Sequence, residues 1–91
     1  MNADLKARWI AALRSGEFKQ AFGELQKNDG YCCLGVLCKV AGRTPTNSAD
    51  DTTLYDWMRL ELGLPTAGLW HRNDQQKLSF PEIADWIEVN L

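Results

Sequence analysis

The stretch 31–42, YCCLGVLCKVAG, decides how the rest of the chain is read. From Cys33 to Ala41 it is apolar except for Lys39. Leu34, Leu37, Cys38 and Ala41 fall at helical spacing, and Val36 and Val40 cover the adjoining face. A helix that is apolar nearly all round is buried nearly all round. The stretch therefore predicts a short central helix, closed by Gly42, with the remaining residues supplying its amphipathic cover. Gly35, inside this helix, marks a close approach by another helix or by Trp9.

Working outward, a first helix is expected from Asp4 to Arg14, capped by Asn2 or Asp4 and stopped at Ser15-Gly16. Leu5, Trp9, Ala12 and Leu13 share one face, and Lys6, Arg8 and Arg14 lie off it. Residues 17–31 read two ways. Phe18, Phe22 and Leu25 have helical spacing, but Gly23 costs a helix about 1 kcal/mol and Asn28-Asp29-Gly30 is a turn signal. The hairpin reading is favoured, with one arm near 20–26 and the other at 31–33. After the central helix, residues 42–53 form a polar loop without periodicity, the segment expected to move most, with Asp50-Asp51 as a helix-entry cluster. Thr53, with Asp56 three residues on, starts another helix whose inner face is Leu54, Trp57, Met58 and Leu62, ended by Gly63 and Pro65. Residues 64–78 read as loop, with a short extended piece at Gly68–His71. The last helix is signalled most fully: Ser79 and Glu82 form a capping box, Pro81 occupies the first turn, and Phe80, Ile83, Ala84, Ile87 and Leu91 make the apolar stripe. The fold class is thus mainly α or α+β: about four short helices around a buried central one, with room for one small β-hairpin.

The 91 residues, 45% hydrophobic and 24% charged, fit one globular domain. Four Trp, three Phe and two Tyr are too much aromatic surface for a disordered chain. No apolar run approaches the roughly 18 residues of a membrane span, and no signal-peptide pattern opens the chain, so a cytoplasmic location is expected. The net charge of −2 argues against a general nucleic-acid binder and is too small for a mimic of DNA's phosphate ladder. It conceals an asymmetry. Residues 1–45 carry seven basic and four acidic groups, and residues 46–91 carry three basic and eight acidic, a split that suits either a bipolar docking surface or two solvated faces.

Cys32, Cys33 and Cys38 are odd in number, lack CxxC spacing and lie beside only one histidine, His71. Packed, reduced thiols are the favoured reading. A zinc site would have to improvise with Cys32, Cys38, His71 and Asp74. A thiol enzyme would have to combine Cys32 or Cys33 with His71 and Asp74, its pKa lowered by the start of the central helix. No phosphate-cradling glycine motif is present, no carboxylate pair stands out, and no cofactor is called for.

Three stretches taken together, WIAALRSGEFKQ at 9–20, YCCLGVLCKVAG at 31–42 and SFPEIADWIEVNL at 79–91 preceded by Asn73-Asp74, resemble a family of small proteins of tailed-phage and prophage genomes. The resemblance spans about half of the chain in matching order. It implies a phage origin and a cytoplasmic setting during infection, and it supplies no catalytic residue. In that family a basic or polar stretch follows the Gln of KQ, whereas here Ala21-Phe22 follows it, which puts a shared ligand site at that edge in doubt.

A binding site is easier to assemble than a catalytic one. Arg14, Lys19, Gln20 and Tyr31 gather around the loop after the first helix; Trp70, His71, Arg72, Asn73 and Asp74 crowd another. Aromatic rings beside guanidinium and amide groups suit stacking and hydrogen bonding. In the competing structural reading Trp70 packs into the core and Asn73 or Asp74 makes a turn bond. The expectation is a non-enzymatic protein that binds a host protein stoichiometrically, for instance to inhibit a defence system, as a monomer or homodimer. The alternative is a protein that sequesters a nucleotide through Arg14, Tyr31, Trp70 and Asn73, and a thiol- or metal-dependent enzyme comes third.

Overall fold

Helix α1 (Ala3–Ser15) begins where Asn2 accepts hydrogen bonds from the amides of Asp4 (2.8 Å) and Leu5 (3.0 Å). It ends at Gly16, whose φ of 79° is open to glycine at no steric cost. Leu5, Trp9, Ile10 and Leu13 are its buried stripe. The computed structural model describes residues 1–45 and 52–91. Asp50-Asp51 and half of the expected polar loop, residues 46–51, lie outside the described residues.

Residues 19–31 form a three-stranded sheet in the order β1-β3-β2, made of β1 (Lys19–Gln20), β2 (Gln26–Lys27) and β3 (Gly30–Tyr31). β2 and β3 are the expected hairpin, antiparallel with Gln26 opposite Tyr31 and Lys27 opposite Gly30. Its turn is Asn28-Asp29, and Asn28 takes the left-handed φ of 56° that asparagine tolerates. The arms are shorter than predicted. The strand β1, parallel to β3, was not foreseen, because Lys19-Gln20 is too short and polar to signal a strand.

α2 (Cys33–Val40) is the central helix, with Cys33 through Cys38 all buried. It packs on α1 and on α4. A Cβ on Gly35 would lie 1.9 Å from the carbonyl oxygen of Leu25, so the close approach is made by the chain entering β2. Neither expected partner of Gly35 fills that place: no helix does, and Trp9 instead donates its indole N–H to the Cys33 carbonyl at 2.9 Å.

α3 (Thr52–Asp56) continues as a π-helical turn, Trp57–Glu61, and Gly63 follows with φ 67°. Thr53 therefore sits inside the helix and not at its cap. The main correction concerns residues 64–78. They hold α4 (Thr66–Asp74) in place of a loop with an extended piece. The buried positions of this helix are Thr66, Leu69 and Asn73, spaced three and four apart. Two of these three are polar, so an apolar periodicity could not reveal the helix. α5 (Phe80–Asn90) carries the full Ser79–Glu82 capping box and buries Phe80, Ile83, Ala84 and Ile87 against α1. The domain is mainly helical with a small sheet. No helix among the described residues is long and apolar enough to cross a membrane.

Candidate functional site

Asn73, fully buried on α4, fills all four of its hydrogen-bonding positions. Its Oδ1 accepts from Gln20 Nε2 (2.9 Å) and from the backbone N–H of Cys33 (3.2 Å). Its Nδ2 donates to the carbonyl of Ala21 (2.9 Å) and to Asp74 Oδ1 (2.7 Å). Gln20 Nε2 also donates to the Leu78 carbonyl at 2.7 Å. One side chain thus satisfies the first amide of α2, an orphan donor at any helix start, and ties it to β1 and α4. The two expected loop clusters do meet, through Gln20 and Asn73, but as an internal brace.

The other predicted site residues disperse. Arg14 donates to Asp85 (2.7 Å) and Glu88 (3.2 Å) on α5. It borders a groove of about 490 Å³ along the Ala3, Ala7 and Ala11 side of α1. Tyr31 packs edge-on against Phe18, with ring centroids 5.7 Å apart. Lys19 is exposed and shares a cleft of about 250 Å³ with Gln20, Phe22 and Lys27. His71 is exposed on α4. Arg72 lies 3.9 Å over the Trp86 ring and donates to the Gly68 carbonyl at 2.9 Å.

The three cysteines are free and buried. Burial pushes the Cys32 thiol up to about 11, against the opposing pull of the Gly35 and Leu34 amides. Burial likewise raises Cys33, whose Sγ–H donates to the Leu69 carbonyl at 3.7 Å. The expected lowering of Cys32 by the helix start is therefore corrected, because loss of water outweighs the end of a helix only eight residues long. A closed, protonated thiol is a poor nucleophile. Among the described residues, no three His, Cys, Asp or Glu side chains are placed to share a metal ion, so the improvised zinc set does not assemble.

What remains is a cleft of about 290 Å³ between α3 and α4, lined by Gly23, Tyr55, Thr66, Ala67 and Trp70. Trp70 is 40% exposed, so the packed-core reading of it fails. Thr66 and Trp70 are one helical turn apart, and Asp74 stands one turn further along the same face of α4. Tyr55, half-buried on the opposite wall, has its hydroxyl pushed up to about 12, chiefly by burial and then by the neighbouring Cys32 and Asp74. Asp74 Oδ2 is buried and, among the described residues, accepts no hydrogen bond. Sequence reasoning found Trp70 and Asp74 but missed Gly23, Tyr55, Thr66 and Ala67. Recognising α4 as a helix would have put Thr66, Ala67 and Trp70 on one face.

No curated protein and no solved structure matches the chain. Residues 1–67, from α1 to the start of α4, match a family described as a domain of unknown function, DUF8296. That span takes in α2, the small sheet beneath it and one wall of the cleft, so the chain belongs to the DUF8296 family.

Proposed function

We propose that this protein is a non-enzymatic binding protein of phage or prophage origin. In this reading it acts in the host cytoplasm, by stoichiometric attachment to a host protein such as a component of a defence system. The observation that carries the reading is the exposed Trp70 of α4, which lines a cleft together with Tyr55. Large aromatic anchors of this kind, with Phe22 also exposed, supply most of the energy in protein–protein interfaces. The buried, protonated thiols and the saturated Asn73 support a role without covalent chemistry. Phage origin rests on the resemblance carried by residues 9–20, 31–42 and 79–91.

The test is native mass spectrometry of the tagged protein recovered from its bacterial host, run beside Trp70→Ala. A host protein held at fixed stoichiometry by the wild type and lost with Trp70→Ala is the expected result. Equal capture by both chains, or none by either, would falsify the Trp70 interface. The cleft holding Lys19, Phe22 and Lys27 favours a second reading, nucleotide sequestration. That reading requires a nucleotide to raise thermal stability by about 2.7 kcal/mol at a hundredfold excess over Kd. Binding to a protein partner requires no such shift.

A further inference from the structure

We propose that the cleft between Tyr55 and Trp70 receives a guanidinium group, the side chain of an arginine on the partner protein. The inference rests on the binding role argued above and names the chemistry of the group bound.

The four tryptophans lead to it. Trp9 is fully buried and its indole N–H is occupied by the Cys33 carbonyl. Trp57 carries the Arg43 guanidinium 4.2 Å from its ring centroid, and Trp86 carries that of Arg72 at 3.9 Å. Phe22 has the Lys77 ammonium at 4.2 Å. Among the described residues no cation lies over Trp70, and residues 46–51 include no Lys, Arg or His. A ring face attracts a cation through its quadrupole, and Trp is the strongest of the aromatic side chains in this respect.

Charge around the cleft points the same way. None of its lining residues is charged. Asp74 follows Trp70 by one turn on the same helix face, and its buried Oδ2 has no donor among the described residues. An acceptor left without a donor in the protein interior is costly, and a cation arriving nearby offsets part of that cost. The lysines nearest in sequence to Gly23, Lys19 and Lys27, line a separate cleft together with Phe22. A cleft of about 290 Å³ with no charged lining residue has room for one planar side chain and offers a nucleotide's phosphate no cation. Arginine is preferred to lysine because its flat, weakly hydrated guanidinium stacks on a ring and still presents N–H donors at its edge.

The experiment is a titration of the intact protein with N-acetyl-arginine amide, followed by the four indole N–H signals in nuclear magnetic resonance. The expected result is a saturable shift of the Trp70 indole and of the Thr66 and Ala67 amides, with Trp57 and Trp86 unmoved. The neutral isostere N-acetyl-citrulline amide should give no such shift. Asp74→Asn should weaken the probe by about 2- to 5-fold, the range of a charge pair near a protein surface. Trp70→Leu, which keeps the apolar surface and removes the quadrupole, should do at least as much and guards against a misfolded Asp74 variant. Equal shifts from the citrulline probe would overturn the proposal, as would shifts at Trp70 from adenosine monophosphate and not from the arginine probe. A flat arginine titration alongside Trp70-dependent capture of a host protein sinks this inference alone. Arginine binding without such capture sinks the partner reading and leaves a guanidinium site.

Discussion

At the scale of single residues, polar burial decides more than apolar burial does. Asn73 sits among core side chains because each of its four hydrogen bonds is made inside the protein. Asn73→Ala would strand the amide of Cys33 and the carbonyl of Ala21 without partners. Each such orphan costs about 1–3 kcal/mol, so chemical denaturation should register a loss of about 2–6 kcal/mol. A loss under 1 kcal/mol would mean that water replaces the amide readily. In the sequence Asn73 looked like a ligand-binding group, because an asparagine next to an aspartate carries no mark of its burial. Gln20 is equally unmarked in the sequence. Its partners are Asn73 and Leu78, more than fifty residues away in the chain.

Among the elements, α2 is legible because its circumference is apolar except at Lys39, and α5 because its start signal is local. Ser79 and Glu82 are three residues apart, and their reciprocal bonds need nothing from the rest of the fold. α4 was illegible because two of its three buried positions are polar. The sheet was half legible: the Asn28-Asp29 turn announced the hairpin, while β1 is held by pairing with β3 and by the Asn73 brace. Gly35 joins the two kinds of element. Its Cα lies against the carbonyl of Leu25, and a methyl group there would meet that oxygen at 1.9 Å. Backbone cannot yield as a flexible side chain can. Gly35→Ala should therefore cost more than the usual 1–3 kcal/mol of overpacking and leave little folded protein in a thermal melt. Full retention of the native melting curve would mean that the sheet can move away from α2.

Across the whole molecule, the buried thiols of Cys32 and Cys33 make folding sensitive to alkaline pH. Cys32 ionises at about 11 in the folded state against an ordinary 9.0. Between these values the folded chain keeps a proton that the unfolded chain has lost, so stability falls as pH rises. The contribution is fully present below pH 9 and is lost on approach to pH 11. Two pH units correspond to about 2–3 kcal/mol for this site, and Cys33 shifts in the same direction. Thermal melts from pH 8 to 11 should show this decline, and Cys32→Ala should flatten it. The same burial predicts that a thiol-reactive disulfide reagent labels none of the three cysteines until the protein is unfolded by denaturant. Fast labelling of the native protein would contradict the closed core.

The sequence by itself determined the helical class, the central helix, both ends of α1 and the capped start of α5. Each of these depends on periodicity, composition or a cap spanning a few neighbouring residues, which are properties of the chain read locally. Tertiary structure alone decided where the polar residues went. Gln20 and Asn73 turned inward to cap α2, Arg14 was taken up by α5, and Trp70 and Tyr55 were brought to opposite walls of one cleft. The reason is that a buried polar side chain is stable only where distant backbone groups need what it offers. Which groups those are is fixed when the helices and the sheet pack together.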